Sequence, residues 1–265
     1  MLSSRHGRSG PLIAAALLFA ALPWAASAAE IHVMSSGGLT AAFEKLAPVF
    51  ERKTGHHVVL VLGPSMGTAP EAIPNRLQRG EPADVLLMVG SALGELAKNG
   101  KVEPESRVDL AESKIAMAVK EGAPKPDIST VDGFKRALLA ATSVAYSDSA
   151  SGVYIEREMY DKLGLKAELK PKSRMIVAER VGNVVARGEA EIGFQQVAEL
   201  LPIKGITIAG EIPAEVQKVT VFSAGIPKAA KEPKAAAELI AFLASSEARP
   251  TVVETGLAPM AGGGQ

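Results

Sequence analysis

Three short loops of hydroxyl residues and glycine contain the side chains best suited to binding an anion. Their sequences are SSGG at 35–38, GPSMGT at 63–68 and SDSASG at 147–152, and each lies between a strand-like segment and a helix-like one. The first turn of a helix leaves backbone N–H groups unpaired and carries partial positive charge, so it attracts anions. Hydroxyl groups add donors without adding charge. The three loops together predict a site for a small anionic ligand.

The candidate ligand-binding residues in these loops are serines that donate a hydroxyl, glycines that permit close backbone approach, and one methionine between them. They are Ser36, Gly37, Ser65, Met66, Gly67, Ser149, Ser151 and Gly152. For each serine the alternative role is that of a helix N-cap, the commonest use of serine at such a place. For each glycine the alternative is a simple turn. The recurrence of the loops favours the ligand-binding role.

Arginine and glutamine residues elsewhere in the chain can complete such a site. Arg76 can hold a carboxylate with two hydrogen bonds, although an arginine on a helix is more often solvated. Arg174 and Arg180 flank an apolar strand, so one of them can face the ligand. Gln195 and Gln196 follow a strand end, where two adjacent amides suit ligand binding. Arg76, Gln195 and Gln196 therefore join the candidate ligand-binding residues.

Tyr154 and Asp148 are the candidate catalytic residues, because each can move a proton. Tyr154 follows the third loop and can act as an acid, and Asp148 lies in that loop and can act as a base. Each has a structural alternative, which is a packing role for the tyrosine and a turn or cap for the aspartate. Glu199 is a further possible base, with an exposed helix charge as its alternative.

Neither metal binding nor covalent catalysis is indicated. The chain has no cysteine, which excludes metal sites built on thiolate. His32 lies inside a predicted strand, and His56 and His57 are adjacent at a strand start, with no carboxylates at ligand spacing. The GPSMGT loop lacks the lysine of a phosphate-binding P-loop. We therefore predict no metal and no organic cofactor.

The predicted order of elements places the three loops at strand ends. Strand-like segments at 31–34, 56–62 and 143–146 each run into one of the loops. The alternation of strand and helix through most of the chain predicts an α/β fold with mainly parallel sheets flanked by helices. Ligands in such folds bind beyond the carboxyl ends of the strands.

The chain is long enough for two compact lobes, with a ligand cleft between them. A proline-rich connector at 122–127 lies near the first passage between lobes, and helical periodicity at 235–243 predicts a closing helix that belongs to the first lobe. We predict that lobe 1 comprises residues 29–112 and 225–265, and that lobe 2 comprises residues 113–224.

Residues 1–28 have the order of a secretory signal. Arg5 and Arg8 precede an apolar run, Pro11–Trp24, and small residues lead to a cleavage site near Ala28. The full chain has zero formal net charge, and removing the two arginines leaves 27 basic against 29 acidic residues. This balance gives no indication of nucleic-acid binding. We predict an exported, periplasmic, monomeric protein.

Several motifs resemble those of the periplasmic solute-binding proteins of the molybdate-binding type. They are SSGGL at 35–39, GPSMGT at 63–68, GEPADV at 80–85 and GEAEIGF at 188–194, and the similarity covers nearly the whole chain after the signal segment. The resemblance implies a type II binding-protein fold, in which two lobes close on an oxyanion held by Ser36, Ser65 and the region of Ser151. The tyrosine that completes the molybdate site in that family is replaced here by Gln195 and Gln196. This departure favours an organic carboxylate.

Three further stretches, SMG followed by PEAIPNRL, the YSDSASGVY loop and GFQQVAELLP, resemble the aconitate isomerases, periplasmic enzymes built on the same fold. This resemblance implies interconversion of cis- and trans-aconitate by a cofactor-independent proton shift. Such a shift needs a positioned acid–base group and donors where negative charge develops. Two alternatives stay open. One is the substrate-binding subunit of an ABC importer, with an ABC permease as partner, for a molybdate-type oxyanion or small carboxylate; the other is a ligand sensor for a membrane receptor.

Overall fold

The computed structural model describes residues 28–177 and 179–260. Within them the chain forms two β-sheets flanked by helices, which confirms the predicted α/β class with two lobes. The predicted signal segment, up to residue 27, lies outside the described residues. In the described ranges, no helix combines the length and apolar character needed to cross a membrane.

The described part of the chain contains eleven strands in two sheets. They are β1 (Glu30–Ser35), β2 (His57–Leu62), β3 (Val85–Val89), β4 (Val108–Ser113), β5 (Ile115–Lys120), β6 (Val144–Ser147), β7 (Ser173–Ile176), β8 (Ile192–Gln196), β9 (Ile206–Glu211), β10 (Thr220–Gly225) and β11 (Ala258–Pro259). The sheet of lobe 1 has the order β11-β4-β10-β3-β1-β2, and the sheet of lobe 2 has the order β7-β6-β8-β5-β9.

Helices cover both sheets. They are α1 (Gly37–Thr54), α2 (Ile73–Gln78), α3 (Gly90–Lys98), α4 (Val131–Ala140), α5 (Ala150–Tyr154), α6 (Tyr160–Leu163), α7 (Lys166–Leu169), α8 (Val181–Ala186), α9 (Val197–Leu200), α10 (Pro233–Leu243) and α11 (Arg249–Glu254). A π-helical turn, Ile155–Met159, joins α5 to α6, and single 3₁₀ turns lie at Pro104–Ser106, Lys170–Lys172 and Ala214–Val216.

Both sheets mix parallel and antiparallel pairs, whereas the sequence predicted mainly parallel sheets. Strand β1 pairs parallel with β2 and β3, and β6 pairs parallel with β7 and β8. Strand β10 pairs antiparallel with β3 and β4, and β5 pairs antiparallel with β8 and β9. Strands β5 and β10 each enter a sheet from the other lobe. The local order of strands and helices does not predict whether such a strand pairs parallel or antiparallel with its neighbours.

Over its described residues the chain passes between the lobes twice. Lys114 separates β4 from β5, close to the predicted boundary between 112 and 113. The return precedes Thr220, because β10 pairs with β3 and β4 in the sheet of lobe 1. The predicted assignment of residues 220–224 to lobe 2 is therefore corrected, since these residues belong to lobe 1.

Each lobe has its own hydrophobic core, which fixes the strand ends that carry the loops. In lobe 1, Phe43 and Phe50 of α1 are buried at helical spacing and pack with residues of α10. In lobe 2, the rings of Phe134 and Phe194 meet edge to face, with centroids 5.9 Å apart. Burying a side chain of this kind stabilises the fold by about 1.5–3 kcal/mol.

Helix α9 lies between the two lobes. It follows β8 of lobe 2, yet Ala198 is buried in the hydrophobic core of lobe 1. The packing is close, because a Cβ built on Gly256 of lobe 1 would lie 2.4 Å from Leu201 and 2.9 Å from Val197. The backbone of α9 is therefore fixed against lobe 1, beside the start of α1.

Gly152 lies where the helix after the third loop packs against the end of β6. A Cβ built on Gly152 would lie 1.6 Å from the carbonyl oxygen of Ser147, which is backbone and cannot move cheaply. We expect Gly152→Ala to lower the free energy of unfolding by about 1–3 kcal/mol or more, measured by urea denaturation. Gly94→Ala on α3 is the matched control. The nearest atom to its built Cβ is a guanidinium nitrogen at 3.4 Å, so this variant should be at least as stable as the parent, because alanine favours a helix interior by up to about 1 kcal/mol relative to glycine. Equal stability of both variants would contradict the packing described here.

Candidate functional site

A cavity of about 260 Å³ lies between the lobes, at the ends of β2, β6 and β8. Its wall is formed by Gly37, Thr40, Leu62, Gly63, Pro64 and Glu71 from lobe 1 and by Ser147, Asp148, Ser149, Glu179, Arg180, Gln195 and Glu199 from the ends of lobe 2 strands and the segments that follow them. Each of the three hydroxyl loops contributes to this wall. The loops therefore converge on one cleft.

Ser36 stands at the start of α1, immediately before Gly37 of the cavity wall, and is not itself part of that wall. Its backbone is extended, as at an N-cap, but its hydroxyl makes no capping hydrogen bond. The hydroxyl oxygen is buried and has no hydrogen-bond partner among the described residues. A buried polar group without a partner is costly unless a ligand or water satisfies it. Ser36 and the first N–H groups of α1 are therefore suited to bind an anion rather than to cap the helix.

The third loop presents a second helix start to the cavity. Ser149 precedes α5 and, like Ser36, makes no capping hydrogen bond with its side chain. The helical run continues from α5 through the π turn to Leu163, so it is long enough to carry an appreciable dipole. Ser147 lines the cavity, and its hydroxyl lies 3.2 Å from the hydroxyl of Ser151, which is buried behind it.

Glu199 of α9 is the most buried carboxyl group at the cavity, with only 8% of its surface exposed. Its Oε1 accepts a hydrogen bond of 3.0 Å from Nε2 of Gln195. The same oxygen lies against the start of α1, because a Cβ built on Gly37 would be 2.0 Å from it. A side chain at position 37 would require this carboxyl group to move. Glu199 therefore sits at the junction of the two lobes, beside the first anion-binding loop.

The environment of Glu199 places its proton exchange near neutrality. Burial raises the pKa of Glu199 from an ordinary value near 4.5 to about 7, while Arg180 and the hydrogen bond from Gln195 act in the opposite direction. Burial also raises the pKa of Asp148, which lines the same cavity. A carboxyl group with a pKa near 7 can both accept and release a proton at physiological pH.

The arginine at the cavity is Arg180 and not Arg76. Arg180 precedes α8, is half-buried and lines the cavity, and within the described residues it forms no ion pair. Arg76 is outside the lining. Its guanidinium donates to Glu81 at 2.6 Å and to the carbonyl of Glu71 at 3.0 Å, and this pairing lowers the pKa of Glu81. Of the two arginines, only Arg180 is therefore placed where it can contact a ligand in this cavity.

The two adjacent glutamines point to different places, because successive strand residues face opposite sides of a sheet. Gln195 faces the cavity, where its Oε1 accepts from the backbone N–H of Val181 at 2.9 Å. Gln196 points to the crossing between the lobes, where its Nε2 donates to the hydroxyl of Thr220 at 2.9 Å. Only one of the two predicted ligand-binding amides therefore lies at the cleft.

Other residues predicted from the sequence lie outside the cavity wall. Tyr154 is buried, and its hydroxyl donates to the carbonyl of Val216 at 2.6 Å. Ser65 is buried with its hydroxyl accepting from the backbone N–H of Val89 at 2.9 Å. Met66 lines a second cavity of about 460 Å³, together with Tyr154. Gly67 approaches the third loop, since its built Cβ would lie 3.5 Å from the carbonyl oxygen of Asp148.

The three histidines in the described part of the chain lie outside the cavity wall. Nδ1 of His56 accepts from the backbone N–H of Ala29 at 3.0 Å, and its Nε2 lies 3.2 Å from Glu238. His32 and His57 lie beside glutamates in lobe 1. Within residues 28–177 and 179–260, no group of three or more histidine or carboxylate side chains is arranged to hold a metal ion.

The raised pKa of Glu199 predicts a distinct dependence of stability on pH. Folded Glu199 retains its proton at pH values where the unfolded chain has lost it, so the folded state is favoured below pH 4.5 and loses this advantage as pH rises through about 7. We expect Glu199→Gln to match the parent near pH 4.5 and to become more stable than the parent by about 3 kcal/mol above pH 8. Urea unfolding of both proteins from pH 4.5 to 8.5 measures the difference. A constant difference across this range would contradict a raised pKa.

Comparison with known proteins places the fold in a family. The family model described as bacterial extracellular solute-binding protein matches residues 31–258, almost the whole described chain. This chain belongs to that family. The expected type II binding-protein architecture is confirmed by a solved structure, the periplasmic molybdate-binding protein of Azotobacter vinelandii. That structure aligns with a TM-score of 0.69 at 24% identity, over 86% of this chain and 98% of the other.

Two relatives, one an isomerase and one a binding protein, are similar to this chain over most of its length. An aconitate isomerase from a Pseudomonas species is 50% identical over 247 residues, which cover 92% of this chain and 94% of the relative. The molybdate-binding protein ModA of Azotobacter vinelandii is 26% identical over 233 residues, which cover 86% of this chain and 89% of the relative. This chain is thus similar both to an aconitate isomerase and to a molybdate-binding protein.

Proposed function

We propose that this protein is an aconitate isomerase that interconverts cis- and trans-aconitate without a cofactor. The observation that carries the proposal is Glu199, a buried carboxyl group with a pKa of about 7 in a cleft built to hold anions. An anion-transport protein would be weakened by an ionisable carboxyl group beside its ligand, because like charges repel. An enzyme that moves a proton requires such a group.

The substrate class follows from the number of anion-binding features and from the relative. The start of α1 with Ser36, the start of the helical run at Ser149, and Arg180 provide three separate places for a carboxylate. Aconitate has three carboxylates. The 50% identity to the Pseudomonas aconitate isomerase, over nearly the full length of both chains, supports the same assignment.

The reaction is a shift of one proton along an allylic system. Glu199, in its ionised form, removes a proton from the methylene carbon of aconitate, which is acidified by its neighbouring carboxylate and by the double bond. The electron pair moves into the carbon skeleton, the double bond migrates by one position, and negative charge spreads onto the carboxylates. Protonated Glu199 then returns the proton to the carbon at the other end of the allylic system.

The donors around the cavity stabilise the charge that develops in this step. Ser36, the backbone N–H groups of the two helix starts and the Arg180 guanidinium hold carboxylates that become more negative as the proton leaves. The new double bond takes its geometry from the conformation in which the methylene arm is held. Binding that arm in an extended conformation converts the cis isomer to the trans isomer.

Transport remains the second candidate, because the same family model and the molybdate-binding relative match the chain. In that function the protein is the substrate-binding subunit of an ABC importer, and an ABC permease is its partner. In either function we propose export to the periplasm as a monomer, with the signal segment removed near Ala28.

A conversion assay paired with a binding assay separates the two candidates. Purified mature protein is incubated with cis-aconitate, and the acids are separated by chromatography; in parallel, the melting temperature is followed with molybdate and with tricarballylate, the saturated tricarboxylate that has no allylic proton. We expect trans-aconitate to form and tricarballylate, but not molybdate, to raise the melting temperature. Absence of conversion together with stabilisation by molybdate would overturn the proposal in favour of transport.

A further inference from the structure

Gln195 connects the carboxyl group of Glu199 to the backbone of α8. Both side chains are buried, with 3% of Gln195 and 8% of Glu199 exposed. Nε2 of Gln195 donates to Oε1 of Glu199 at 3.0 Å, and Oε1 of Gln195 accepts from the N–H of Val181 at 2.9 Å. The sequence suggested a direct ligand contact for this amide, but both of its ends are engaged by the protein.

The bond to Val181 determines which way the amide faces. A backbone N–H can only donate, so the atom of Gln195 that meets it must be the carbonyl oxygen. The NH₂ group must then face Glu199. An NH₂ group can donate but cannot accept, so Oε1 of Glu199 is the acceptor of this bond, and the proton of the carboxyl group is favoured on Oε2 because an unprotonated oxygen is the stronger acceptor.

A second contact, with the start of α1, restricts the position of Oε1 of Glu199. A Cβ built on Gly37 would lie only 2.0 Å from this oxygen, so the start of α1 packs directly against it. The nearby backbone N–H of Gln196 also favours the ionised carboxyl group and acts to lower its pKa. The carboxyl group is thereby held in one orientation, which leaves Oε2 as the oxygen free to exchange a proton.

We propose that Gln195 is a positioning residue that fixes Oε1 of Glu199 and makes Oε2 the single oxygen that takes and returns the proton. The catalytic part of this inference rests on the proposed function, whereas the hydrogen bonds of Gln195 are observed independently of it. One oxygen that serves both ends of the allylic system requires a fixed carboxyl group, because a displacement of about 1 Å in such a step costs about 10²-fold in rate.

The test replaces Gln195 with methionine, which has similar length and cannot donate. The matched control is Gln196→Met, on the next residue of the same strand, where 2% of the side chain is exposed and the amide bonds Thr220 instead. We expect Gln195→Met to lower kcat about 10–100-fold and to move the rising limb of kcat/KM to higher pH, since a donor to the carboxylate is lost. For Gln196→Met, kcat/KM should rise with pH over the same range as in the parent.

A second readout does not depend on activity. The stability difference between the parent and its Glu199→Gln variant levels off at the pKa of folded Glu199, about 7. The same comparison made with and without Gln195→Met should show this levelling-off at higher pH, and a larger difference above it, when Gln195 is replaced. If the parent is active and Gln195→Met shifts neither the pH dependence of kcat/KM nor that of stability, the positioning role is overturned. If the parent does not convert aconitate, the proposed function is wrong. The pH dependence of stability then decides whether Gln195 controls the pKa of Glu199.

Discussion

Replacing Glu199 with glutamine is expected to lower kcat for aconitate isomerisation by about 10²–10⁴-fold, the range typical for loss of a general base. Glutamine has nearly the shape of glutamate and can still accept the bond from Gln195, so the cleft should keep its form. It cannot take a proton from carbon. Steady-state kinetics should show the loss in kcat without a rise in KM, because the neutral amide no longer repels the trianionic substrate.

Two controls make this result specific. Glu121→Gln changes an exposed glutamate in the turn after β5 and should leave kcat at the parent value. Tyr154→Phe removes the other side chain that the sequence suggested as an acid. Its hydroxyl bonds the carbonyl of Val216 outside the cavity wall, so turnover should persist. A severe loss in Tyr154→Phe with a mild one in Glu199→Gln would reverse the assignment.

The pH profile belongs to the same prediction. Glu199 must be ionised to act as the base, and burial raises its pKa to about 7. The parent's kcat/KM should therefore rise with pH up to about 7 and then level off. The residual activity of Glu199→Gln should lack this limb. A parent profile that is flat between pH 5.5 and 8 would exclude Glu199 as the base.

Replacing Arg180 with glutamine is expected to raise KM for aconitate about 10–100-fold, with a smaller effect on kcat. Hydrogen bonds to charged groups contribute about 1.5–3 kcal/mol, which corresponds to this range. Arg180 lines the cavity and forms no ion pair within the described residues, so its charge is available to a carboxylate. Initial-rate kinetics, with calorimetric binding of tricarballylate, measure the change.

Arg174→Gln is the matched control for Arg180. Arg174 lies on β7, six residues earlier in the chain, with 57% of its side chain exposed and its guanidinium 3.8 Å from Glu189. Its replacement should leave KM unchanged. The Arg180 variant should also lose affinity for tricarballylate, which is bound but not converted. Equal KM values in the two variants would show that the third carboxylate is held elsewhere.

The general form of the site was predictable because strand ends in α/β folds are adjacent in space. The loops at Ser36 and Ser147–Ser149 therefore meet in the cleft as expected. Alternation along β8 also allowed only one of Gln195 and Gln196 to face it. The sequence did not decide which one, because the register between β8 and β5 depends on pairing across the lobe.

The positions of Arg180, Glu199 and Tyr154 depended on packing that no local pattern reports. Glu199 is on a short helix of lobe 2 that is buried against lobe 1 through Ala198. From the sequence it had an equal chance of being an exposed helix charge. Tyr154 follows the third loop closely in sequence, but helical rotation turns it away from the cavity towards Val216. The return crossing was assigned too late because β10 pairs across non-consecutive strands.

Proton NMR of cis-aconitate with the purified mature protein in D₂O, run beside the Glu199→Gln variant, tests the central claim most directly. With the parent protein we expect the vinyl signal of trans-aconitate to appear until equilibrium is reached, and with the variant we expect it to appear at least about 10²-fold more slowly. Conversion at equal rates would contradict the role of Glu199. No conversion by the parent would contradict the function itself.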